Sequence, residues 1–210
     1  MLEWIEDLRG EIGAVGDQGE RGTCLAWAGS AAHQMWHACE ELCVEHLHWS
    51  CGNTTAGAGT VQALAESLTT VGQPPEWQWP YDPVVEGRTP PADLAGPFRK
   101  SGLQTLSGTV ESIFDRVANR QAVILGIRVT DEFLGCRSGF VGGSSAGSGG
   151  HAVVAVGAAR YRGVPTDELS TGDRVLCVRN SWGDTWGVEG YALVSESAID
   201  ACLIVAAVIE

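Results

Sequence analysis

The 210-residue chain carries 13 basic and 26 acidic side chains, a net charge of −13, and 44% of its residues are hydrophobic. That charge excludes a nucleic-acid binder, which needs a basic footprint. The hydrophobic share supplies a core for one compact unit or two small lobes, and no apolar run approaches membrane-spanning length, the longest (202–209) being strand-sized.

The amino terminus, Met1-Leu2-Glu3-Trp4-Ile5-Glu6-Asp7, is acidic and lacks the basic start and long apolar middle of a secretion signal. Residues 1–17 run into a glycine-punctuated loop, Gln18-Gly19-Glu20-Arg21-Gly22-Thr23, that ends at Cys24. From Cys24 to about Glu41 the spacing of Ala26, Trp27, Ala31, Met35, Ala38 and Leu42 predicts a helix. A thiol in its first turn feels the positive end of the helix dipole, which favours thiolate. The open N–H groups there point at any oxyanion forming beside the sulfur, and the Gln18 amide can swing to the same place.

His33 and His37 stand four apart on this helix, with Cys39, Cys43, His46, His48 and Cys51 nearby. Their spacings fit no standard zinc pattern, so they are read as packed or surface residues, and no metal or other cofactor is implied. Gly57-Ala58-Gly59 reads as a turn, and Thr60 caps a helix carrying Val61, Leu64, Ala65, Leu68 and Val71. Residues 74–97 hold seven of the eight prolines and read as extended loop anchored by Trp77, Trp79 and Tyr81. Val110, Ile113, Phe114 and Val117 mark a short helix. Strand-like runs follow at 122–130, 151–156, 174–179, 191–194 and 202–209. Gly142–Gly150 reads as a mobile rim before His151, and the connection from Gly157 to Arg174 as a protrusion. Helices first and strands second give an α+β architecture. The halves divide at about 11–103, helical, and 104–210, β-rich. If the strand starting at His151 pairs antiparallel with the one ending before Asn180, these two side chains become neighbours.

Three stretches carry the chemistry: the loop and helix start from Gln18 to Ala28, Gly149-Gly150-His151-Ala152-Val153, and Asn180-Ser181-Trp182-Gly183-Asp184-Thr185-Trp186-Gly187-Val188-Glu189-Gly190-Tyr191. Together, in this order, they resemble the papain-like (C1) cysteine proteases. The resemblance implies a two-lobe fold, a helical lobe and an antiparallel β-barrel-like lobe, with the active-site cleft between them. It implies a Cys24–His151–Asn180 triad with Gln18 at the oxyanion, Trp182 shielding the histidine–asparagine pair, and Gly57, Gly59, Trp182 and Gly150 lining the substrate site. Asp7-Leu8-Arg9, the helix over Leu42–Cys51 and Trp79-Pro80-Tyr81 also have counterparts in the family.

The chain departs from that pattern at several points. Leu25 and Trp27 stand where the family carries tryptophan and phenylalanine. Arg21 stands at a family half-cystine, so that bridge cannot form, and the arginine is read as a solvated cation near the cleft rim, with a substrate carboxylate as the alternative. Residues 1–17 leave no room for the family's inhibitory propeptide, so the expectation is an enzyme made active, one controlled by a regulatory protein partner, or a chain cut from a longer one. The missing bridge and signal point to a reducing, cytoplasmic setting. The implied activity is hydrolysis of peptide bonds in a polypeptide substrate, with neither nucleic acid nor membrane as partner. The alternatives are an acyltransferase or amidase on the same thiol, and a non-catalytic binding module.

Overall fold

The computed structural model describes residues 1–210 apart from Ala58, Gly96, Pro97, Ser144 and Ala146. Its first half is helical. Helix α1 (Cys24–His37) buries a run of small residues, Ala26 and Ala28 through Ala32, which lets neighbours approach closely. A Cβ on Gly29 would stand 2.8 Å from Leu64 Cδ1 of helix α3 (Val61–Thr70). Thr60 caps α3, its hydroxyl accepting the Ala63 N–H at 3.0 Å. Helix α2 (Val44–Gly52) is capped by a thiol, Cys43 Sγ accepting the His46 N–H at 3.3 Å. Helix α1 stops short of Glu41 because Ala38 turns left-handed (φ 46°, ψ 48°) and its N–H closes on the Gln34 and Met35 carbonyls.

The second half is built on one sheet of strands β1 (Leu2–Asp7), β2 (Leu103–Thr105), β3 (Val123–Val129), β4 (Phe140–Val141), β5 (Ser148–Tyr161), β6 (Arg174–Arg179), β7 (Tyr191–Ser195) and β8 (Leu203–Ile209). Their lateral order is β2-β8-β3-β5-β6-β7-β4, with β1 also on β5. Among the described residues β4 and β7 pair parallel, and the other named pairs are antiparallel. Helices α4 (Val110–Ala118), α5 (Asp131–Leu134) and α6 (Glu196–Cys202) complete the fold, which is α+β.

Two expectations change here. The amino terminus is not a plain lead-in: β1 pairs with the far end of β5, Leu2 opposite Tyr161 and Asp7 opposite Gly157. Because β5 runs on to Tyr161, the connection to β6 shrinks to residues 162–173, and the expected protrusion from Gly157 is partly strand. Strand β5 is buried from His151 to Ala159. Helix α1 packs on it from the helical half, and α4 and β1 also contact it. Helix α1 touches β3 and β8 as well, so it lies along the seam between the halves.

Candidate active site

The strand register brings the imidazole to the asparagine. Val154 of β5 lies opposite Arg179, the last residue of β6. Asn180 follows at once, and His151 Nε2 lies 2.7 Å from Asn180 Oδ1. The Ser181 N–H donates to the same Oδ1 at 2.8 Å, which fixes it as the amide's acceptor oxygen. Nε2 therefore carries a proton, and Nδ1 is left as the basic atom. Trp182 stacks on the imidazole with centroids 4.4 Å apart and 29° between planes. Phe133 of α5 meets Trp182 edge-on at 5.8 Å, and the Trp186 indole N–H donates to the Phe133 carbonyl at 2.9 Å. This aromatic wall keeps water from the His151–Asn180 bond. Burial pushes the His151 pKa down, and the bond to Asn180 partly opposes it.

Cys24 opens α1 from the other side of the seam. Thr23 precedes it but does not cap the helix, since its hydroxyl is bonded to Tyr81 Oη at 2.6 Å. The first N–H groups of α1 thus have no side-chain cap and remain available to an anion. Burial raises the Cys24 thiol pKa, while the backbone N–H groups of Ala152, Leu25 and Cys24 itself act to lower it. Ala152 adjoins His151, so the sulfur sits against the strand that bears the imidazole. Burial favours the neutral thiol and the neutral imidazole at rest.

Gln18 is held at both ends of its amide. The Ser181 hydroxyl donates to Gln18 Oε1 at 2.7 Å, and Gln18 Nε2 donates to the Arg21 carbonyl at 2.7 Å. One amide N–H remains for an oxyanion. Ser181 was not singled out by sequence, although it lies inside the motif that locates Asn180. Arg21 overturns its expectation: it is not a solvated rim cation but 3% exposed and paired with Glu45. The displaced aromatic, Trp27, meets Tyr81 edge-on at 5.0 Å and lies over Gly16, where a Cβ would stand 2.1 Å from the ring.

The remaining site candidates are placed as follows. Gly57 and Gly59 have φ of 76° and 85° and open space where a Cβ would be; Ala58 between them lies outside the described residues. Gly150 is exposed within β5. The expected mobile rim is pinned at its start, where Gly142 and Gly143 N–H groups each donate to Glu132 at 2.8 Å. It ends as strand from Ser148, and Ser144 and Ala146 lie outside the described residues. His33 and His37 join a hydrogen-bonded chain with Gln73 and Ser101.

Comparison with known proteins agrees with this fold. The family model described as papain family cysteine protease matches residues 2–209. The cathepsin L-like proteinase of Fasciola hepatica is 26% identical over 212 residues, 96% of this chain and 61% of that protein. The chain thus spans less than two thirds of that relative's length. Among solved structures, the Carica candamarcensis cysteine protease CMS1MS2, in complex with E-64, superposes with a TM-score of 0.77 at 22% identity, over 97% of this chain and 96% of that one. Xylellain, a cysteine protease from Xylella fastidiosa, does so with a TM-score of 0.79 at 20% identity, over 98% and 85%. The proform of the ragweed pollen protease Amb a 11 gives 0.80 at 25% identity, over 97% and 64%. Backbone, register and motif order converge: the chain belongs to the papain family of cysteine proteases.

Proposed function

We propose that the chain is a thiol-dependent peptidase that hydrolyses peptide bonds of a polypeptide through an acyl-enzyme. The observation that carries this is the His151 Nε2–Asn180 Oδ1 bond of 2.7 Å, which leaves Nδ1 as the basic atom on the strand against which α1, headed by Cys24, is packed. In this reading His151 Nδ1 takes the thiol proton and the Cys24 sulfur attacks the peptide carbonyl carbon. The carbonyl electrons move onto oxygen, which the free Gln18 N–H and the Cys24 backbone N–H receive; losing one such donor lowers kcat by about a hundredfold or more. As the C–N bond breaks, His151 returns its proton to the departing amine. Water, deprotonated by His151, then attacks the thioester and releases the acid and the thiol. Asn180 keeps the imidazole in the tautomer and orientation both steps need.

Digestion of a proteome-derived peptide library by the parent and by Cys24→Ala tests this. Parent-only cleavage with an E-64 mass on Cys24 is expected; equal products from both would overturn it. A reducing compartment such as the cytoplasm is the proposed setting, supported by seven free cysteines. Mass mapping of alkylated cysteines from intact cells would refute that by finding them paired.

A further inference from the structure

Arg21 and Glu45 form an ion pair buried beside the nucleophile loop. The side chains are 4% and 2% exposed, and the fork is two-pronged: Nη1 to Glu45 Oε2 at 2.7 Å and Nη2 to Oε1 at 2.8 Å. Arg21 Nη1 also donates to the Asp82 carbonyl at 2.5 Å, and the guanidinium lies 4.7 Å from the centre of the Tyr81 ring. A second guanidinium, Arg88, reaches the same Glu45 Oε2 at 3.2 Å. Glu45 sits in the first turn of α2, a rigid element. The side chain of Arg21 is thus fixed to the helical half through four separate contacts.

The backbone of the same residue meets the catalytic machinery. Its carbonyl accepts one N–H of the Gln18 amide at 2.7 Å. Since the Ser181 hydroxyl holds the amide oxygen at 2.7 Å, the direction of the second N–H depends on where the Arg21 carbonyl stands. Tyr81 ties the same span down again, its hydroxyl donating to the Gln18 carbonyl at 3.0 Å and bonding Thr23 Oγ1 at 2.6 Å.

We propose that the Arg21–Glu45 pair is a positioning device that aims the free N–H of Gln18 at the oxyanion. It rests on the role given to Gln18 above. Removing the Glu45 charge leaves a buried, unpaired guanidinium that must move toward solvent. The Arg21 carbonyl moves with it, the Gln18 amide turns, and the oxyanion loses a donor. The sulfur and imidazole, carried on α1 and β5, stay in place.

The experiment compares Glu45→Gln, Gln18→Ala and the double variant on a fluorogenic peptide, with alkylation of Cys24 by iodoacetamide as a second readout. Alkylation passes through no oxyanion, so it reports the thiol alone. Glu45→Gln should lower kcat roughly tenfold or more, with KM changed far less and the alkylation rate within about twofold. Combined with Gln18→Ala it should add little, because both changes remove the same donor. Multiplying losses, an unchanged kcat, or alkylation falling in step with kcat would each overturn the proposal. If Gln18→Ala alone leaves kcat intact, the role of Gln18 fails instead, and the clamp with it. Should Glu45→Gln not fold, Arg21→Met with Glu45→Met fills the site with apolar side chains of similar length. The same kcat loss at unchanged alkylation is then expected, and full activity overturns the proposal.

Discussion

Lowering the pH from 7.5 to 5.0 should destabilise the fold through buried imidazoles rather than carboxylates. His33 is 0% exposed and His46 3% exposed. His33 Nδ1 donates to Gln73 Oε1 at 3.0 Å, that oxygen being the acceptor because Gln73 Nε2 donates to Ser30 Oγ and the Cys43 carbonyl. His46 is stacked on Phe98 at 5.2 Å, and its Nδ1 has no partner among the described residues. Both pKa values fall from 6.5 to about 4, at His46 through burial and at His33 through burial opposed by the Gln73 bond and aided by His37 and Arg99. An imidazole depressed in the folded state contributes stability above the unfolded value of 6.5 and loses it as pH falls toward 4. Linkage over that window gives a loss of about 2 kcal/mol for each histidine at pH 5. Two such losses compare with a total stability of roughly 5–15 kcal/mol. Glu76, whose pKa burial raises, offsets part of the loss, while Glu45, held low by Arg21, acts only below the ordinary carboxylate range. Urea unfolding at pH 7.5 and 5.0, followed by tryptophan fluorescence in a Cys24→Ala background, measures the effect. His46→Leu should remove about 2 kcal/mol of the pH-dependent part. If that variant loses as much between the two pH values as its parent, the reasoning is wrong.

His151→Ala should shift the reactivity of Cys24 to alkaline pH. Without the imidazole, burial holds the thiol above its ordinary 9.0, so iodoacetamide should label the variant only in strongly alkaline buffer, and labelling near pH 7 at the parent rate would refute the coupling. Gly29→Ala should lower stability by about 1–3 kcal/mol through overpacking, because the new methyl meets Leu64 at 2.8 Å. Urea midpoints check it, and an unchanged midpoint would show that α1 and α3 separate more freely than their packing implies.

Elements with a strong internal pattern were legible in the sequence. The run Arg174–Arg179 is strand β6 residue for residue, and Val110, Ile113, Phe114 and Val117 are the buried face of α4. Elements defined by a distant partner were not. Strand β1 reads Leu-Glu-Trp-Ile-Glu-Asp and is mostly exposed, so only its pairing with β5 makes it a strand. Helix α6 falls mostly in the gap between the strand runs 191–194 and 202–209, although Ser195, accepting the Ala198 N–H at 3.1 Å, is an N-cap that could have announced it. Arg21 failed for the same reason as β1. A charge with no neighbour in sequence defaults to solvent, and what buries this one is a carboxylate 24 residues away. The stretches of the candidate site were readable because each is local: a loop before a helix, a strand start, and a turn after a strand end.

The seam between the halves then decides the chemistry in a way no single stretch shows. Burial disfavours the charged form of both Cys24 and His151. What favours the thiolate comes from both sides of the seam, the helix-start N–H groups on α1 and the Ala152 N–H on β5. A small separation of α1 from β5 would remove the second set and the imidazole together. Nucleophilicity is therefore a property of how tightly the small-residue face of α1 lies on β5, not of the cysteine alone. The alanines and glycine along that helix carry no catalytic group, yet their small size sets how closely the head of α1 approaches β5.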